Sequence, residues 1–177
     1  RITGLLSRHL DDHVRDISCE TCHIPYFAVE TPTLMETDFA TAGKPVPVEK
    51  DQYGMPTFDK KRGTLTWGKK VVPTYRWFDG TRKSYVLGDE IQESESGHVE
   101  LNAPLGAKHI LQARVFPFKV HTANQPYDTG KNILVPVKFK NEFWKNFDWN
   151  KAITAGMKAV NLEYSGNYGF IKTKMYT

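Results

Sequence analysis

Cys19 and Cys22, separated by Glu20 and Thr21 and followed at once by His23, form a Cys-x-x-Cys-His run. One helical turn between the thiols puts both sulfurs on one edge, where each can form a thioether to a haem vinyl group. The adjacent imidazole then sits under the iron as proximal ligand. The run predicts a covalently held haem c on Cys19, Cys22 and His23, and a chemistry of electron transfer or redox catalysis. Attachment of this kind takes place in oxidising compartments outside the cytoplasm, so a periplasmic or extracellular location is expected.

Other readings of two close cysteines compete. A thioredoxin-like pair would follow a strand and open a long helix, whereas Ile24-Pro25 stops a helix here. A zinc site would need two further ligands at compact spacing, and no second cysteine pair exists. Chance proximity of two buried cysteines is the third. Haem attachment is the best supported.

The opposite face of the iron takes a second ligand or stays open for substrate. The remaining histidines are His9, His13, His98, His109 and His121. His121 is favoured, because Phe116-Pro117-Phe118-Lys119-Val120-His121 sets it beside aromatics able to line a pocket. His13 is the alternative, either as distal ligand or, since its short tether to Cys19 points it away from its own iron, as ligand to a neighbouring haem. His98 and His109 sit in polar stretches and rank lower. Met35, Met55, Met157 and Met175 read as core filler. Lys69, Lys70, Arg76 and Arg114 are candidates for neutralising a bound oxyanion, although solvated surface is the commoner role for each.

Ahead of the motif, Leu6, Leu10, Val14 and Ile17 recur at helical spacing and predict a short helix leading into it. Pro25, Pro32, Pro45, Pro47 and Pro56 then keep long helices out. Residues 64–67 and 71–78 read as strands, with Asp79-Gly80 as a hairpin turn and 82–87 as the returning strand. Residues 89–98 are expected as an exposed polar loop, and 110–137 as a stretch broken by proline and glycine. Phe143, Trp144, Phe147, Ile153, Met157 and Val160 predict a helix beginning near Asn141, weakened by Gly156. The tail from Tyr164 to Tyr176 shows no clear period.

The 177 residues suffice for one domain with a real core. Lysine and arginine number 24 against 20 acidic residues, a net charge of +4. These charges are interspersed rather than gathered into a stripe, which argues against nucleic acid and suits an acidic redox partner. No apolar run reaches the ~20 residues needed to span a bilayer. With so little regular structure, the expected fold is mainly irregular with α-helices and a few short strands, its core organised by haem.

Asp16-Ile17-Ser18-Cys19-Glu20-Thr21-Cys22-His23-Ile24-Pro25 resembles the octahaem tetrathionate-reductase family of multihaem c-type cytochromes. Lys61-Arg62-Gly63 with Trp67-Gly68, Tyr75 to Thr81, Phe116 to His121, Gln125-Pro126-Tyr127-Asp128, Trp149 to Gly156 and Tyr164 to Phe170 keep the same order. The resemblance covers most of the chain. It implies a multihaem cytochrome c-like fold around closely packed haems, a haem-ligand role for His121, and a link to reduction of tetrathionate, nitrite or hydroxylamine. That family carries eight attachment motifs against one here. Residues 1–177 are therefore expected to form a single haem module, a segment or subunit of a larger multihaem cytochrome, as the abrupt start at Arg1 and the end at Thr177 also suggest. Its expected partners are other haem-bearing chains or segments, redox proteins and a small inorganic oxyanion. Three roles stay open: electron-transfer module, catalytic part of a reductase, or structural subunit of a conductive cytochrome assembly. No catalytic residue is assigned.

Overall fold

No proline or glycine interrupts residues 5–16, and they form helix α1 (Leu5–Asp16) in the computed structural model, which describes the backbone of residues 5–177 and side chains from Asp11 onward. The helix expected ahead of the motif is present. The side chains of Leu6, Leu10 and His9 lie outside the described residues. Helix α2 (Cys19–His23) is the motif itself, a single turn. Prolines then exclude helix, and the chain passes through β1 (Thr33–Asp38), a 3-10 turn (Phe39–Thr41) and β2 (Phe58–Asp59) to β3 (Gly63–Gly68).

The strands that follow are β4 (Thr74–Phe78), β5 (Arg82–Ser84), β6 (Val99–Glu100), β7 (Asn102–Pro104), β8 (Arg114–Phe118), β9 (Val120–Asp128), β10 (Ile133–Leu134) and, at the end, β11 (Tyr168–Tyr176). Among the described residues, seven of them make one sheet in the order β2-β3-β1-β9-β11-β6, with β10 also on β9. Strands β1 and β9 pair in parallel, and β9 and β11 pair antiparallel along their full nine residues. Pro126 is tolerated in this long strand because of its place. On one edge β1 pairing ends at Asn124 and β10 pairing begins at Tyr127, so Pro126 falls in the gap. The stretch expected to be broken by proline is thus two nearly continuous strands.

Asp79-Gly80 does turn the chain, with Gly80 at φ +95 and Asp79 Oδ1 accepting from the Thr81 amide. The hairpin reading is nevertheless wrong. Strand β4 pairs with β8, and β5 pairs with β7. A local turn signal carries no information about which distant strand supplies the partner. Residues 89–98 are largely exposed as expected, apart from Ile91, which is buried and joins Val99 and Leu134 in a small core.

The helix expected from Asn141 is interrupted. A π-turn (Phe139–Phe143) and a short α3 (Trp144–Asn146) lead to Phe147, which adopts φ +52. Asp148 then caps α4 (Trp149–Ala159) by accepting from the Lys151 amide. Trp149, Ala152, Ile153, Gly156 and Met157 are buried, a spacing that places them on one helical face. Phe143 stacks on Trp149 at 3.9 Å between centroids, and the main core closes around them with Ile133 and Ala42. The expected apolar stripe holds at Phe143, Ile153 and Met157, whereas Trp144 and Val160 are exposed and the phase resets at Phe147.

Gly156 has a positive reason to be there. A Cβ at this position would stand 2.0 Å from the Pro136 carbonyl oxygen, so the helix packs directly on backbone. Gly156→Ala is expected to destabilise the chain by about 2–3 kcal/mol, despite alanine's better helix propensity, read by urea denaturation.

Asp128 is fully buried at the end of β9 and accepts from the amides of Gly130, Lys131 and Ser165 and from the Ser165 hydroxyl. Burial pushes its carboxyl up, but these bonds outweigh it and hold the pKa below the ordinary carboxylate value. A depressed folded pKa gives stability that is present at neutral pH and is lost as pH falls below about 4, through the folded value. Asp128→Asn should therefore be less stable near pH 7 and lose less on acidification, as followed by circular dichroism.

Candidate haem site

Ile17 and Ser18 dock the motif on β8: Ile17 forms a parallel bridge with Val115, and the Ser18 amide donates to the Val115 carbonyl at 3.1 Å. The Thr21 hydroxyl donates to the same carbonyl at 2.7 Å. The Ile24 amide closes the turn on Glu20 O at 2.8 Å, and Pro25 prevents continuation. Beyond it, Phe27 and Val71 exchange both backbone bonds at 2.9 Å. The motif is therefore clamped between β8 on one side and the turn after β3 on the other. Thr21, inside the spacer, is a residue whose role was not visible in the sequence: its hydroxyl finds a partner far along the chain.

Cys19 and Cys22 are both free and exposed, and His23 is exposed with no polar partner among the described residues. Several large apolar side chains on the flanking segments are also exposed, including Tyr26, Val72, Tyr75 and Leu111. Two unpaired thiols and a free imidazole on one turn, beside uncovered apolar surface, fit the two thioethers and one iron bond of haem c.

His121 lies on β9, opposite Met175 of β11, and is half-buried. Its Nδ1 is 3.2 Å from the Leu34 carbonyl oxygen, which can only accept. That contact assigns the proton to Nδ1 and leaves the Nε2 lone pair bare, the arrangement of a metal-binding imidazole. Burial depresses its pKa below the ordinary histidine value; the Leu34 carbonyl opposes this, Lys119 adds to it and Glu36 opposes it.

His13 is brought to the motif itself, its Nε2 4.0 Å from Cys22 Sγ. His9 and His13 also make a His-x-x-x-His pair ahead of the two cysteines, a spacing relevant to the zinc alternative. Among the described residues no three His, Cys, Asp or Glu side chains converge on a metal position. His109 is exposed, and His98 Nδ1 lies 2.8 Å from Ser96 O. Arg76 is exposed and donates one bond to the Tyr176 hydroxyl at 2.9 Å, and Tyr176 in turn donates to Glu100. Lys69, Lys70 and Arg114 are exposed.

Residues 35–177 match the model of the family described as bacterial cytochrome c. The chain belongs to that family. The crystal structure of an octaheme cytochrome c from Shewanella oneidensis is similar, with a TM-score of 0.87 and 39% identity over 96% of this chain. This chain spans 40% of the length of that one. No curated protein matches. The chain is thus a multihaem-type cytochrome c, its cofactor is covalently bound haem c, and the resemblance read from its sequence blocks holds. The family match starts after the Cys19–His23 turn, so it rests on the β-sheet and α4 rather than on the attachment motif that all c-type cytochromes share. No helix among the described residues is long and apolar enough to cross a membrane.

Proposed function

We propose that this chain is an electron-transfer module, exported to the periplasm or cell exterior, within a larger multihaem cytochrome. Cys19 and Cys22 anchor the macrocycle, His23 ligates the iron from one side and His121 from the other. The bound haem supplies an iron that changes oxidation state by one electron. The chain's own residues do the rest. Val115 and Thr21 hold the motif turn rigid, so the imidazole of His23 keeps its direction. Leu34 O fixes the tautomer of His121. The exposed apolar residues around the motif exclude water from the macrocycle once it is in place, and adjoining haem-bearing segments are the expected partners.

The observation that carries this reading is the bare Nε2 of His121 together with a free His23, which makes two imidazoles available for iron. Two axial histidines leave no open position, so rapid cyanide binding by the oxidised, haem-loaded chain is not expected. A fast spectral change on adding cyanide would instead support an open iron and the reductase reading. That second reading receives less support, because its candidate anion-binding groups Lys69, Lys70, Arg76 and Arg114 are all exposed, the setting of ordinary solvated surface.

A further inference from the structure

Lys119 stands two residues before His121, between β8 and β9, and both side chains reach the Leu34 carbonyl. Its backbone is fixed by paired bonds to Thr177, at 2.8 and 2.9 Å. Its ammonium donates to the Thr33 hydroxyl at 3.0 Å and to the Leu34 carbonyl at 3.0 Å. That carbonyl is the one that faces His121 Nδ1. One oxygen therefore accepts from both, using its two lone pairs. No carboxylate pairs with Lys119 among the described residues, where the ion pairs belong to Arg15, Arg62, Lys131 and Lys151. The site thus contains a lysine charge without an ion-pair partner, and Glu36 is the carboxylate whose opposite charge is also felt at His121.

We propose that Lys119 is a positioning residue that raises the reduction potential of the iron held by His121. The inference rests on the ligand role given to His121 above. Two effects act in the same direction. A charge-assisted bond from Lys119 draws electron density from the Leu34 oxygen, which then accepts less strongly from Nδ1–H. The imidazole keeps less anionic character and donates less to iron, which favours the reduced state. In addition, a fixed positive charge beside the ligand disfavours the further positive charge of ferric iron.

The test is a spectroelectrochemical titration of the haem-loaded protein, with electron paramagnetic resonance of each variant. Lys119→Met should move one redox transition to lower potential while the iron stays low-spin. Lys119→Arg, which keeps the charge, should stay at the wild-type position. An unshifted Lys119→Met, or a Lys119→Arg shifted equally, overturns the proposal. If the methionine variant fails to fold, Lys119→Gln replaces it, and an unshifted potential there counts against the proposal in the same way. His121→Ala separates this from the underlying reading. If it leaves the low-spin signal complete, His121 is not a ligand and both fail. If it removes that signal while the lysine variants shift nothing, only the role of Lys119 fails.

Discussion

Replacing Cys19 and Cys22 together by alanine is expected to abolish covalent haem, so that no haem stain remains on a denaturing gel. Each thioether holds one side of the macrocycle, and the chain has no other cysteine to take over. A single replacement should leave one link and retain the stain at reduced yield. The double variant should still fold its sheet and α4, because the main core of Phe143, Trp149, Ile153 and Met157 is formed by side chains alone. Near-native circular dichroism with complete loss of stain would separate attachment from folding. Stain surviving in the double variant would show that the thiols are not the anchor.

The second large effect is expected at His121. His121→Ala should convert a low-spin iron to a high-spin or water-bound one and open it to cyanide, whereas loss of a surface histidine would change neither. The experiment also decides which iron His121 serves. Lys119 separates β8 from β9, which belong to different sheets, and the six residues from Val115, where the motif docks, to His121 span at most about 20 Å. If His121 closes the iron above His23, the single-haem chain changes its spectrum. If the spectrum changes only in a longer polypeptide with further haems, His121 belongs to a neighbouring iron. His13, 4.0 Å from Cys22 Sγ, is then the residue to replace next.

The chemistry of this chain was legible before its architecture. Cys-x-x-Cys-His is a local pattern, and local patterns survive translation into structure: the turn, its exposed thiols and the stop at Pro25 are all where spacing puts them. The aromatic surroundings that singled out His121 are present: Phe116 and Phe118 cluster with Phe78 and Tyr176 beside the start of β9. What spacing could not show was pairing across long separations. The Thr21 hydroxyl reaches Val115, the Leu34 carbonyl reaches His121, and β4 chooses β8 over its neighbour β5. The sheet was hidden for a related reason. Strand β11 mixes Lys172, Thr173 and Lys174 with aromatics, because both its edges are paired while parts of both faces remain accessible. A strand so placed shows no clean alternation. Helix α4 was visible as a stripe, but its start was misplaced, since nothing local announces that Phe147 will adopt a left-handed backbone.

One haem c is expected on this chain, attached through Cys19 and Cys22. Mass spectrometry of a tryptic digest of the haem-loaded protein tests it most directly, on the peptide that begins at Asp16 and contains both cysteines. This peptide should carry the mass of one haem, absorb in the Soret region and offer no free thiol to alkylation. The same peptide recovered without haem, with both thiols alkylated, would contradict it.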